Sequence, residues 1–179
     1  MRVGQGWDIH RLVADRRLRL AGVDVPHERG LLGHSDGDVV LHAVTDALLG
    51  AMAAGDLGQR FPDADPHYAD IDSAVLLAEV VRLVSVRGYR IGNVDVTILA
   101  ERPKLAPHVP AMQRRLAALL GVAADQVGIK AKTAEGLGAI GAGDAIAAMA
   151  VAAVAPAPRR APARGRRVTM RGRPRRAVR

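Results

Sequence analysis

Asp8 and His10 sit two residues apart in the alternating segment Met1–His10, and His42 sits in the apolar run Val39–Met52. Residues i and i+2 of a strand share a face, so Asp8 and His10 project together from a β-strand. The apolar run follows Ser35-x-x-Asp38, which resembles a capping box, and is closed by Gly55, so it reads as a helix. Few folds bring a strand pair and a helix residue of this kind to one place. One carboxylate oxygen and two imidazole nitrogens suit a zinc-type cation, and three protein ligands leave a fourth coordination position free.

The rest of the chain alternates between the two periodicities. Arg17–Val25 reads as the hairpin partner of the first strand, ended by Pro26. Gly55–Pro66, with Gly-Asp-Leu-Gly and Phe-Pro-Asp-Ala-Asp-Pro, has the chemistry of an exposed loop. A second helix follows Asp72, with Leu76, Leu77, Val80, Val81 and Val84 as its buried stripe, and closes at Gly88. Tyr89–Ala100 is a strand, Pro107–Leu120 a third helix, and Val127–Thr133 and Ala145–Val154 the last strands, joined by the glycine-rich turn Gly136–Gly143. The order predicts an α+β single domain, with helices packed on one face of a mixed β-sheet and a small N-terminal hairpin.

Charge divides the chain. From Pro156 to Arg179 there are ten arginines and no acid, whereas residues 1–155 hold 16 basic and 18 acidic groups. The expected catalytic body is therefore slightly acidic, and 156–179 is expected to be a disordered Arg/Pro-rich tail. Eight acids fall between Asp36 and Asp72, close to the histidines. The absence of cysteine excludes disulfides, thiolate metal sites and cysteine nucleophiles. No apolar run reaches membrane-spanning length, so a cytoplasmic protein with no membrane partner is expected. Four aromatic residues (Trp7, Phe61, Tyr68 and Tyr89) are too few for a base-stacking platform.

Several residues have an ordinary and a functional reading. Asp38, His42 and Asp46 form a polar stripe at four-residue spacing, from which either carboxylate could orient the imidazole. His34 and Ser35 precede the helix; Ser35 reads as its cap, but a helix N-terminus also receives a phosphate. Asp56, Asp63 and Asp65 are turn formers that could grip substrate hydroxyls. Lys104 and Lys132-Thr133-Ala134-Glu135 come from distant strand ends and suit a nucleotide phosphate with a hard cation such as Mg²⁺. Taken separately, each is more often an ordinary surface residue.

The motifs resemble one family closely. Asp8-x-His10, Gly30-Leu-Leu-Gly-His-Ser-Asp-Gly-Asp-Val39, Leu41-His-Ala43, Thr45-Asp-Ala-Leu-Leu-Gly-Ala51, Gly55-Asp56 and Phe61-Pro-Asp-Ala-Asp65 are similar to 2-C-methyl-D-erythritol 2,4-cyclodiphosphate synthases. Asn93-Val-Asp-Val-Thr97, Arg102-Pro-Lys104 and Thr133-x-Glu-x-Leu-Gly138 continue the likeness. The resemblance implies a phosphorus–oxygen lyase of the non-mevalonate isoprenoid pathway. Its substrate is 4-diphosphocytidyl-2-C-methyl-D-erythritol 2-phosphate, and it yields the cyclodiphosphate and CMP. It further implies a homotrimer with active sites between subunits. Zn²⁺ falls to Asp8, His10 and His42, and a second ion (Mg²⁺ or Mn²⁺) to Glu135. His34 and Thr133 take the catalytic positions at the phosphates. Ser35 is substrate-binding beside His34, and Asp56 with the loop through Gly58, Phe61, Asp63 and Asp65 faces the methylerythritol. Ala100, Lys104, Leu105 and Ala106 line the cytidine pocket, with Lys132 beside Thr133.

Two departures stand out: Ala139 and Ala142 occupy positions where the family has phenylalanine and arginine. The loss of the arginine puts in question any anionic ligand along the trimer axis. A zinc-dependent phosphohydrolase could use the same ligands. The arginine tail has the composition of a salt-dependent, sequence-blind nucleic-acid contact, against which stands a solvated extension without function. Deleting Pro156–Arg179 separates the two.

Overall fold

Residues 1–158 of the computed structural model are described, Asp63 and Ala69 excepted. β1 (Arg2–Ala14) puts Gly4, Gly6, Asp8 and His10 on one face and Val3, Gln5, Trp7 and Ile9 on the other. α1 (Val39–Ala51) crosses the first face, so near that the glycines are obligatory. A Cβ on Gly4 would lie 2.1 Å from the carbonyl oxygen of Ala47, and one on Gly6 2.0 Å from that of Ala43. Past the first turn of the helix the strand regains side chains, at Asp8 and His10. The smallest residues thus carry the helix, and the chemistry sits at its end.

Five strands form one sheet in the order β4 (Arg29–Leu31), β1, β7 (Ala145–Pro156), β5 (Tyr89–Leu99) and β6 (Val127–Lys132). All neighbours are antiparallel except β5 and β6, which are parallel and joined through α4 (Val109–Leu120). α1, α3 (Ser73–Val86) and α4 cover the same face, burying Leu41, Leu48, Leu77, Val96, Ile98, Met112, Leu116 and Ile146. Alanines 148, 150 and 152 on β7 are buried there too, short enough to admit the helices. The α+β class and the mixed sheet are as the sequence predicts. The opposite face is bare: Val3 is 60% and Trp7 52% exposed, and Ile9, Met149 and Val151 are also open. Among the described residues no helix is long and apolar enough to cross a membrane.

The hairpin differs from expectation. Leu18–Leu20 (β2) and Val23–Val25 (β3) pair with each other, not with β1. Ala21 and Gly22, at φ 55° and 72°, make the two-residue turn whose twist suits a hairpin. Freed of that partner, β1 runs on to Ala14 and takes β4 as its neighbour. The 55–66 stretch is also more ordered than a loop. Asp56 caps a single helical turn, α2 (Leu57–Arg60), and Phe61 behind it is buried. The glycine-rich turn likewise contains one helical turn, α5 (Gly138–Gly141). Pro156 still pairs with Tyr89, and the Ala157 N–H donates to the Gly88 carbonyl. The expected tail therefore begins after the strand, and 159–179 lie outside the described residues.

Candidate metal centre and adjoining clefts

Asp38, not Ser35, caps α1. Its carboxylate accepts from Val40 N and Leu41 N, and on its other side from Ala21 N and Gly22 N at 2.9 and 2.6 Å. It is fully buried, which pushes its pKa up against the pull of the Gly22, Leu41 and Ala21 amides. The hairpin turn is thereby locked to the helix start, and His42 is fixed one turn in. Asp46 is equally occupied, accepting from Leu57 N at 2.7 Å, with burial raising its pKa. Neither carboxylate orients His42, contrary to the stripe reading; both are absorbed by backbone donors.

Asp8, His10 and His42 meet as the spacing predicts. Asp8 Oδ2 lies 2.8 Å from His10 Nε2 and 3.0 Å from His42 Nδ1, and the two ring nitrogens are 3.1 Å apart. These are the donors of a three-residue group able to hold a metal. An ion roughly 2.0–2.1 Å from each would set tetrahedral donors about 3.3 Å apart, so the cluster needs to open only by tenths of an ångström. The rear nitrogens are engaged too. His10 Nδ1–H donates to the Leu32 carbonyl at 2.7 Å, which turns the Nε2 lone pair inward. His42 Nε2 contacts the hydroxyls of Ser35 and Ser73 at 3.0 and 2.9 Å. The residues fit a zinc-type cation.

Charge agrees with this geometry. Burial alone would raise the Asp8 pKa, but the hydrogen bonds and charge of His10 and His42 outweigh it and hold it well below the usual carboxylate range. Burial alone would lower His10, but Asp8 outweighs it and raises the imidazole. Without an ion, His10 and Asp8 each favour the charged form of the other.

A cleft of about 190 Å³ opens over the triad, lined by Asp8, His10, His34, Ser35 and His42 and, across from them, Leu57, Gly58, Phe61, Tyr68 and Leu76. Phe61 and Tyr68 stack edge to face, with centroids 5.4 Å apart. Asp56 and Asp65 do not line it. Asp56 accepts from Gln59 N and Gln59 Nε2, and Asp65 from His67 N and Nδ1, so within this chain each carboxylate is engaged by its own turn. Asp63 lies outside the described residues.

A second cleft, about 220 Å³, is formed by Ala100, Glu101, Pro103, Lys104, Leu105 and Ala106 against Ala131, Lys132 and Thr133. Parallel pairing of β5 with β6, Leu99 opposite Lys132, brings these distant segments together. Thr133 Oγ1 donates to Glu135 Oε1 at 2.7 Å, and Glu135 is exposed. Glu135 is not part of the triad's cluster within this chain. Ala139 lies beside His10 and Asp144 in a third, open depression, and Ala142 is exposed.

Sequence reasoning missed Ser73, Asp36 and Arg19 behind the triad. Asp72-Ser73 reads only as a helix start, and nothing local signals that this start abuts His42.

A mixed sheet carrying one helical layer, with a His₂Asp triad at the first turn of its central helix, defines an α+β metal-site protein. Comparison narrows this: the model of the YgbB family matches residues 1–155, and the chain belongs to that family. It is 54% identical over 156 residues to the 2-C-methyl-D-erythritol 2,4-cyclodiphosphate synthase of Trichlorobacter lovleyi, covering 87% of this chain and 99% of that relative. It is 58% identical over 152 residues to the synthase of a Cyanothece species, covering 85% and 94%. Among solved structures, a 2C-methyl-D-erythritol-2,4-cyclodiphosphate synthase in a CDP-bound form superposes with TM-score 0.80 at 42% identity, covering 86% of this chain and all of that one.

Proposed function

We propose that this chain is a metal-dependent cyclodiphosphate synthase of isoprenoid biosynthesis. It converts 4-diphosphocytidyl-2-C-methyl-D-erythritol 2-phosphate to 2-C-methyl-D-erythritol 2,4-cyclodiphosphate and CMP. The observation that carries this reading is the triad Asp8–His10–His42 at the floor of a cleft, in a chain 54–58% identical to synthases of that name.

In the reaction a 2-phosphate oxygen attacks the β-phosphorus. A new P–O bond closes the ring, the bond to the α-phosphate oxygen breaks, and CMP leaves as a phosphorus–oxygen lyase product. Nucleophile and electrophile belong to one molecule, so no protein nucleophile is required. Holding it folded exploits effective molarities on the order of 10⁵–10⁸ M. Asp8, His10 and His42 hold Zn²⁺, and Glu135, with the substrate's diphosphate, holds Mg²⁺ or Mn²⁺. When bound, the two cations neutralise phosphate repulsion and the charge on departing CMP. His34 and Thr133 position the phosphates at the reacting centre. Gly58 and Phe61 in the cleft, and the loop from Asp56 through Asp63 to Asp65 that carries them, face the methylerythritol, and Ser35 binds substrate beside His34. Ala100, Lys104, Leu105 and Ala106 receive the cytidine, and Lys132 its phosphates. The apolar wall of Leu105 and the flanking lysine charge support that assignment.

The assembly is a homotrimer with sites shared between subunits, in the cytoplasm. Two features support it: the bare apolar sheet face around Trp7 and Met149, and the absence of Glu135 from its own chain's triad. Residues 1–155 form the catalytic unit, and 156–179 are an appendage without a role in turnover.

The test is direct. Purified protein is incubated with the cytidylylated substrate, with and without chelator, and followed by phosphorus NMR. A cyclic diphosphate that disappears with chelator is expected; free monophosphates would instead mark a hydrolase.

A further inference from the structure

A serine hydroxyl and a carboxylate, Ser73 and Asp36, stand behind His42 with no part in the scheme above, and the Ser35 hydroxyl meets them there. Ser73 opens α3, Ser35 precedes α1, and each reaches the same ring nitrogen, at 2.9 and 3.0 Å. Their oxygens are 3.1 Å apart. Ser73 Oγ also donates to Asp36 Oδ1, and Asp36 Oδ2 takes Arg19 at 3.0 Å. Arg19 continues to Asp72, the cap of α3, at 3.2 Å. Ser35 and Ser73 are buried, and the Asp36 side chain is only 13% exposed.

The donors and acceptors can be assigned. Nδ1 of His42 faces Asp8 and His10, so a cation there takes the Nδ1 lone pair and leaves the ring proton on Nε2. Asp36 is held by Arg19 and by Asp38 N, so it acts as an acceptor and commits the Ser73 hydrogen. The Ser73 oxygen is then free to accept, from Nε2–H and from the Ser35 hydroxyl. With a cation on Nδ1, each polar hydrogen of the relay has an acceptor and Nε2 carries the ring proton.

We propose that Ser73 and Asp36 are positioning residues for His42: a carboxylate–hydroxyl–imidazole relay that fixes the ligand's tautomer and ring plane and raises its basicity toward the cation. Outer partners of metal-bound histidines do this through a carboxylate or carbonyl; here a serine carries the effect across one more bond. The same relay joins the zinc ligand to both walls of its cleft. Asp70 N donates to the His34 carbonyl at 2.8 Å and Asp36 N to the Ile71 carbonyl at 3.1 Å, so the segment entering α3 is sewn to the segment entering α1.

The inference rests on the zinc reading of the triad, and one experiment separates the two. Wild type, Ser73→Ala and Asp36→Asn are stripped of metal and titrated with zinc against a chromogenic chelator. Ser73→Ala lowers zinc affinity on the order of 10–100-fold. Asp36→Asn, which keeps an acceptor but loses the charge, lowers it less. Metal-free melting temperatures change little. In zinc-loaded wild type, ring ¹⁵N spectra show a His42 Nε2 proton protected from exchange, and that signal weakens in Asp36→Asn. Folded Ser73→Ala with wild-type affinity overturns the relay. If that variant does not fold, Asp36→Asn with unchanged affinity and an unchanged His42 signal overturns it. A wild type that takes up no zinc removes the triad reading and the relay together.

Discussion

The carbonyl oxygen of Ala43 occupies the place where a side chain on Gly6 would begin, 2.0 Å from an added Cβ. α1 therefore rests on bare backbone, and its distance from β1 sets the spacing of His42 from Asp8. Gly6→Ala forces the helix outward, and overpacking of this kind costs roughly 1–3 kcal/mol, more where backbone must move. Zinc affinity falls with stability, because the displaced helix carries a ligand. Gly50→Ala is the counterpart on the same helix: an exposed position whose added Cβ meets nothing nearer than 3.6 Å. Helix propensity there favours alanine by up to about 1 kcal/mol. Urea midpoints of the two variants should move in opposite directions, while zinc affinity should fall for Gly6→Ala and stay unchanged for Gly50→Ala.

Asp38 joins two elements through four backbone donors while completely shielded from water. Asp38→Ala leaves the Ala21 and Gly22 amides with no acceptor, at roughly 1–3 kcal/mol for each buried unpaired group, besides the lost helix cap of about 1 kcal/mol. Hydrogen exchange would then accelerate first at residues 18–25. Equal protection of that hairpin in the variant and the wild type would contradict the staple.

The ion pair at the triad gives the metal-free protein a characteristic pH response. Asp8 has a lowered pKa, so its contribution is present above the unfolded carboxylate value of about 3.9 and fades as pH falls through the lower folded value. His10 has a raised pKa, so its contribution is complete below about 6.5 and fades as pH climbs through the higher folded value. Between those limits the stripped protein gains most from the pair. Zinc reverses the upper slope, because it displaces the His10 proton and binds more tightly as pH rises. Melting temperatures at pH 5.5 and 8, with chelator and with zinc, should therefore change in opposite senses. Parallel slopes would falsify the assignment of His10 as a ligand.

The triad was legible in the sequence because strand alternation and a long apolar helix are local signals, and both put their polar residues where they are found. The clefts were partly legible: Lys104 and Lys132 were recognised as candidates, but their meeting depends on parallel pairing between β5 and β6, which no local pattern encodes. Asp38 takes the capping role that Ser35 was expected to fill, because two capping residues three apart offer equivalent sequence signals and only the hairpin's amides decide between them. The expected pairing of Arg17–Val25 with the first strand fails because the turn falls inside that segment, at Ala21-Gly22, a weak local turn signal. Ser73 was illegible: its function depends on the place where α3 begins relative to α1, a tertiary relation.

Trp7 lies on the sheet face that the helices leave uncovered, and strand pairing sets it across from Met149 and, one strand further, Thr97. A half-exposed tryptophan amid Val3, Ile9 and Val151 is a patch that neighbouring copies of the chain would bury in a trimer. Trp7→Glu places charge in that contact without touching the core, since the residue points away from α1. Light scattering should read a trimer for wild type and a monomer for Trp7→Glu, with turnover lost. Circular dichroism and zinc uptake should be retained, because Asp8, His10 and His42 all come from one chain. A fully active monomeric Trp7→Glu protein would show that each chain completes its own site, and Glu135 would then have to reach the diphosphate from within the same subunit.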